Sequence, residues 1–423
     1  MSQFESNRYS QSYSASRSGG ERSSSTLALH GPAGEEGSER RSGPLVPGIV
    51  QSTTYLHRAV GDIDGPTYSR VGNPSVDHLE VILGGLENAP PAVTFATGLA
   101  AETALFLALL RAGDHAVVGE AIYGGTVRLF RQILSDLGVS STFVDASDAA
   151  AVGAAINERT KLVFIESPAN PTLRLTDIAA VAKITRAKGV TLAVDNTFLT
   201  PVLQRPLDLG ADVSVYATTK QIEGHSVALG GAITSRDAAL IERVRFIRKC
   251  TGAIQTPFNA WLTVQGIKTL PVRLKQQSLN AQAVAEWLEV HPAVKRVNYP
   301  GLSRFPQKDL AQRQHLGAHG NVVSFEIEGG TAAGVALLNG VRLCRLVEHV
   351  GSVETLITHP ASMTHADVPR EQRERIGLSD GLVRLSVGLE EPRDVIEDLS
   401  RAIDAATAAV AVEVKGGAAC VAN

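Results

Sequence analysis

Of the 423 residues only three are cysteine (Cys250, Cys344 and Cys420). They are far apart and odd in number, which speaks against a disulfide framework or a clustered metal site and fits a reducing cytoplasm. Aromatic residues make up only 5%, and the formal charges nearly cancel, leaving −3. No basic surface for nucleic acid or an anionic membrane is therefore expected. The longest apolar run with helical texture, Ala104 to Leu110, is too short to span a bilayer. The start lacks the apolar core of a secretory signal. What the chain does have is length and 44% apolar residues, enough for a large core and more than one domain.

Residues 1–43 are rich in Ser, Gly, Arg and Glu and show no apolar period. Such a segment cannot bury enough surface to offset its ordering entropy, so it is read as a disordered tail. Glu5, Glu21, Glu35, Glu36 and Glu39 argue against the rival reading, an acid-poor transit peptide. Residues 44–64 read as an extended arm, 65–255 as the main domain and 256–423 as a second, smaller one.

The stretch Gly65–Ser75 is punctuated by Gly and Pro and reads as a loop carrying Tyr68 and Arg70, with Asn73 or Ser75 capping the helix that follows. From about residue 92, short apolar strands alternate with helices that stop at Gly113, Gly138 and Gly189. The expected helices run from about Leu99 to Arg111, around Thr126 to Leu137 and around Ile178 to Lys188. This alternation predicts an α/β fold with a mostly parallel sheet covered on both faces. Ligands bind such sheets at the carboxyl ends of the strands, where Thr97, Tyr123, Asp195, Thr219 and Lys220 gather. After Gly252 the texture changes to a long helical stretch from Thr256 to about Val290, broken around Pro271. Strands at 321–327 and 382–387 and a closing helix from Arg393 to Val410 make the second domain α+β.

Lys220 sits where the apolar run from Val213 ends in two threonines, ahead of a glycine-rich return at Gly224. Burial disfavours the charged form of a lysine, and a neutral lysine attacks carbonyls. Alone, a lysine past a strand is as well read as a surface group, and Asp195 alone as a turn or cap residue. Taken together, a strand-end lysine, an acid at the end of Leu192–Val194, an aromatic at Tyr123 and a Thr97-Gly-Leu99 strand-to-helix turn point to pyridoxal 5′-phosphate (PLP). That cofactor needs a lysine, an acid facing its ring nitrogen, and an anion site of the kind a helix start offers. Arg384 lies inside an apolar strand, where a guanidinium is costly unless an anion meets it. His359 and His365, six residues apart with a proline between, read as structural, and no metal is expected.

Eight segments, in order and spacing, resemble the Cys/Met-metabolism family of PLP-dependent enzymes over about residues 44–410. They are Tyr68–Pro74, Ala96–Ala100, Tyr123–Thr126, Glu166–Thr172, Val194–Phe198, Thr219-Lys220 with Gly224–Ser226, Thr358–His365 and Val383–Leu389. The resemblance implies fold-type I, the aspartate aminotransferase-like arrangement. It implies that Lys220 carries the cofactor and shuttles protons, and that Tyr123 stacks on the ring as its catalytic companion. Asp195 would face the ring nitrogen, and Gly98, Leu99 and Thr219 would hold the phosphate. Tyr68 and Arg70 would reach the phosphate in a neighbouring subunit of a homodimer or homotetramer. Arg384 would grip the substrate carboxylate, with Asn170, Arg128 and Glu348 lining the pocket.

The chain departs from the family pattern in several places. Ala217 stands where a serine is usual, and Val227 where an aspartate is. The common Glu-Ser-Leu-Gly reads Glu348-His349-Val350-Gly351, placing an imidazole near the lysine. Gly125 replaces the cysteine of the methionine γ-lyases, which disfavours methionine. The implied activity is γ-replacement or γ-elimination on homoserine- or homocysteine-derived amino acids, of the cystathionine γ-synthase/γ-lyase type, because Arg128 and Glu348 resemble that branch. The alternatives are an O-acetyl- or O-succinylhomoserine sulfhydrylase, or a PLP-binding protein that has lost its chemistry.

Overall fold

Between successive helices, runs of three to seven mostly apolar residues pair into a seven-stranded sheet: β1 (Val93–Phe95), β2 (His115–Gly119), β3 (Ser140–Val144), β4 (Thr160–Glu166), β5 (Thr191–Asp195), β6 (Val213–Tyr216) and β7 (Gly231–Ser235). The order across it is β1-β7-β6-β5-β4-β2-β3. Strands β2 to β6 pair in parallel, while β7 runs antiparallel to both β6 and β1. Helices cover both faces, so β2 is buried throughout and β4 nearly so. This computed structural model describes residues 22–32, 44–61, 65–366, 368 and 370–420.

The helices of this part are α1 (Ser24–His30), α2 (Pro74–Leu86), α3 (Gly98–Leu109), α4 (Gly124–Arg128), α5 (Ala149–Ala155), α6 (Ile178–Ala187), α7 (Thr200–Leu203) and α8 (Ala238–Thr251). Their starts follow the capping chemistry of the sequence. Asn73 accepts from the Ser75 amide with Pro74 in the first turn, and Thr97 accepts from the Ala100 amide at 3.0 Å. On one face Phe95, Phe106, Phe130 and Phe164 form the core, and on the other Val117, Val163, Ile165 and Val194.

Helices α9 (Pro257–Lys268) and α10 (Leu270–Glu289) lead to a second sheet, parted one residue before the first turn that holds Pro271. That sheet comprises β8 (Val294–Asn298), β9 (Val322–Ile327), β10 (Arg345–Leu346), β11 (Leu356–Thr358) and β12 (Leu382–Ser386), ordered β10-β11-β12-β9-β8. Alongside it run α11 (Lys308–Gln314), α12 (Gly330–Gly340), α13 (Arg370–Arg375) and α14 (Pro392–Cys420). Phe325, Val383 and Leu385 pack there against Leu288, Leu337, Leu399 and Ile403. Among the described residues no helix is long and apolar enough to cross a membrane.

Three expectations need correction. Within the stretch 1–43, read as disordered, Ser24–His30 is a helix capped by Ser23, with Leu27 and Ala28 buried in the cluster that holds Leu79 and Leu83 of α2. The other residues of that stretch, apart from 22–32, lie outside the described residues. The helix placed around Thr126 to Leu137 starts at Gly124 and passes at Leu129 into a π-helical turn ending at Leu134. The closing helix reaches Cys420.

Candidate active site

The carboxyl ends of β4 and β5 carry two acids side by side, because Glu166 and Asp195 are register partners. Asp195 is only 7% exposed. Its Oδ1 accepts from the Thr197 amide at 2.9 Å, and no lysine or arginine pairs with it among the described residues. Burial raises its pKa above the usual carboxylate range, against the opposing pull of Thr197. Glu166 is raised further by burial and by the charge of Asp195. Its Oε2 accepts from the Tyr123 amide at 2.8 Å and its Oε1 from the Asn170 amide at 3.1 Å. Glu102 on α3 is the third acid, pushed up to about 8 by burial and by Asp195, and takes the Thr126 hydroxyl. The Tyr123 side chain stays 46% exposed at the start of α4.

Lys220 lies in the turn that follows β6 and is half-buried. Its Nζ is 3.1 Å from His349 Nδ1. Burial, and then the positive charge of Arg384, bring its pKa down to about 8. The turn is fixed from behind by Arg273, which donates to the carbonyls of Gln221 and Ile222. Gly224 closes it at φ +75°, with the Arg273 guanidinium where a Cβ would stand, so glycine is required for both conformation and space.

Arg384 occupies the middle of β12, paired with Thr358 and Ser324, and is 4% exposed. Its guanidinium donates to Asn170 Oδ1 at 2.9 Å, to the His349 carbonyl at 3.0 Å and to the Thr358 hydroxyl at 3.1 Å. No carboxylate bonds it among the described residues. Burial lowers its pKa to about 10, with the charges of Glu166 and Glu348 opposing. It is a desolvated cation held by neutral acceptors, an arrangement suited to an incoming carboxylate.

At the start of α3, the amides of Gly98 and Leu99 occupy the first two helical positions and have no acceptor one turn back within the helix. A Cβ at Gly98 would come within 2.9 Å of the Ala217 side chain, so a larger residue would crowd this corner. Thr218, next to Ala217, is fully buried, with its Oγ1 packed against Gly230 and without a hydrogen-bond partner among the described residues. The Thr219 hydroxyl is engaged, donating to the Gly230 carbonyl at 3.1 Å and accepting its amide at 2.9 Å.

These residues fit PLP. Lys220 offers an amine of depressed basicity, Asp195 a buried carboxyl without a cationic partner, and α3 a free-amide end beside a glycine. Of the other expected residues, Tyr68 and Arg70 stack on each other at the surface, 5.2 Å from guanidinium to ring centre, and Arg70 donates to the Lys249 carbonyl at 2.9 Å. Arg128 and Glu348 are exposed. His359 has both ring nitrogens engaged, with the Ser362 hydroxyl and the Asp380 carbonyl. Glu166, Thr197, Thr358 and His349 belong to the site but were not picked out as site residues from sequence. The strand-end position of Glu166, matching that of Asp195, was the available signal for it.

The family model described as Cys/Met metabolism PLP-dependent enzyme matches residues 25–404. The chain is 41% identical over 379 residues to cystathionine gamma-lyase from Bacillus subtilis (strain 168), covering 90% of this chain and 98% of that one. It is 42% identical over 389 residues to L-methionine gamma-lyase from Porphyromonas gingivalis, covering 90% and 96%. Among solved structures, metB from Corynebacterium glutamicum superposes with a TM-score of 0.86 at 38% identity, covering 90% of this chain and 98% of that one.

Proposed function

The chain belongs to the Cys/Met metabolism family of PLP-dependent enzymes, and on that premise we propose that it cleaves cystathionine-type amino acids at the γ-carbon, as a γ-lyase. Its substrates are small amino acids. Bound PLP supplies an electron sink that acidifies the Cα–H of the amino acid. The observation that carries the reading is Arg384, a buried guanidinium that bonds no carboxylate among the described residues, held in one network with His349 and, through it, Lys220.

In this reading Lys220 holds the cofactor and moves protons at Nζ. An amine brought down to about 8 is partly neutral near physiological pH, as a base of this kind must be. Asp195 faces the ring nitrogen, where its burial makes a cationic partner favourable. Tyr123 presents its exposed ring for stacking, and the Gly98 and Leu99 amides receive the phosphate. Thr219, whose hydroxyl bonds Gly230, supports that corner and contributes to it through Gly230. Arg384 and Asn170 fix the α-carboxylate, so the γ-substituent extends toward Arg128 and Glu348. A second ammonium and carboxylate on the leaving half would find opposite charges there.

Methionine is the less favoured substrate. A Cβ at Gly125 would lie 2.4 Å from the Tyr123 ring, so this chain cannot carry a cysteine there without moving that ring. We also read Tyr68 and Arg70 as reaching the cofactor of a neighbouring subunit, and the protein as a cytoplasmic homo-oligomer. Mixed oligomers of inactive Arg70→Ala and inactive Lys220→Ala subunits would then regain part of the activity. Verified mixed oligomers without activity would overturn that assignment.

The test is product identification from cystathionine, methionine and O-acylhomoserine, each with and without cysteine or sulfide. Cystathionine alone should yield cysteine, 2-oxobutanoate and ammonia. Turnover only of the acylhomoserine with sulfide would replace this reading by the sulfhydrylase one.

A further inference from the structure

We propose that His349 is a positioning residue whose Nδ1 accepts the Lys220 amine and sets both where that amine rests and when it is protonated. The proposal rests on the reading of Lys220 as the cofactor-holding lysine. In its ammonium form the lysine has only donors, so across the 3.1 Å contact that form is met by a neutral imidazole with Nδ1 as acceptor. The surroundings keep the ring neutral. Burial and the adjacent charges of Lys220 and Arg384 bring its pKa down to about 4. Glu166 and Glu348 act on Arg384, while the charges felt by the imidazole are those of Lys220 and Arg384.

The backbone of His349 is fixed as well, since its carbonyl accepts from the Arg384 guanidinium at 3.0 Å. Nε2 is buried and meets no partner among the described residues. One residue therefore touches the amine through its side chain and the carboxylate-binding arginine through its main chain. A hydroxyl at this position could donate as well as accept. In the tautomer that carries its hydrogen on Nε2, the imidazole can only accept at Nδ1, and an acceptor favours the charged form of the lysine.

The experiment compares wild-type protein with His349→Ala and His349→Asn. Asparagine keeps an acceptor oxygen near the place of Nδ1 and cannot titrate. In the first measurement, PLP is added to cofactor-depleted protein, and the rate of growth of its visible absorption is followed across pH. Titration of PLP itself is common to all three proteins, so differences in the midpoint report Lys220. In the second, kcat and KM are measured on the reconstituted proteins. His349→Ala should shift the midpoint down by roughly one pH unit and lower kcat by about tenfold, with KM changed less than about twofold. His349→Asn should stay within about threefold of wild type, with the midpoint restored. An unchanged midpoint and kcat in His349→Ala would overturn the proposal, and so would His349→Asn failing as completely as the alanine variant. A wild-type protein that takes up no PLP would instead overturn the cofactor reading on which it rests.

Discussion

The Arg384 guanidinium, on β12 of the small sheet, donates to Asn170 Oδ1, 2.9 Å away in the loop that leaves β4 of the large sheet. The two sheets thus meet at the group we propose to hold the substrate carboxylate. Arg384→Ala should lower kcat/KM by about 10- to 150-fold, the loss of one charge-assisted contact of about 1.5–3 kcal/mol. Asn170→Ala removes an aligning acceptor but no charge, so its loss should be smaller and fall mainly on KM. Steady-state kinetics with cystathionine checks both, and equal kcat/KM in wild type and Arg384→Ala would refute the role.

Stability at low pH should depend on Glu80. It is buried on α2 between Arg245 and Arg248 and also takes the amide and hydroxyl of Thr94. Burial alone would raise its pKa, but the two arginines bring it from 4.5 down to about 2. A depressed carboxyl contributes stability that is present above its unfolded value and lost as pH falls through the folded one. Wild-type protein should therefore weaken from pH 4.5 toward about 2 in part through this group. Glu80→Gln takes the buried carboxylate from between Arg248 and Arg245, of which Arg245 keeps Glu242 at 3.9 Å, and should cost about 3–5 kcal/mol at neutral pH, measured by urea unfolding.

Glu87 should act in the opposite direction. It is fully buried, receives the Tyr216 hydroxyl, and burial pushes its pKa from 4.5 up to about 8. A raised carboxyl contributes stability that is complete below its unfolded value and lost as pH climbs through the folded one. Thermal stability should thus decline between pH 4.5 and about 8 in wild type. Glu87→Gln keeps an acceptor for Tyr216 and cannot ionise, so its decline over that interval should be flatter. An identical slope in the two proteins would remove Glu87 as the cause.

Much of this architecture was legible because the strands are short apolar runs that end in polar residues. Asp195, Tyr123 and Lys220 stood at those ends, and the ends converge at one edge of the sheet. Gly113, Gly138 and Gly189 marked the helix stops for the same local reason, positive φ. The helix Ser24–His30 was not legible, since its apolar run is only Leu27-Ala28-Leu29 in an otherwise polar stretch, with Leu29 exposed. Nor was the fate of Thr219, whose hydroxyl is taken by Gly230 eleven residues on, across a turn that no pattern announces. The contact between Lys220 and His349 spans 129 positions, so sequence could flag His349 only as a departure from the family.

The central claim is that Lys220 holds the cofactor. Purified protein loaded with PLP should be yellow, and borohydride reduction followed by digestion and peptide mass spectrometry should place the fixed cofactor on Lys220. Labelling of a different lysine in cofactor-loaded protein, or no labelled peptide at all, would contradict it.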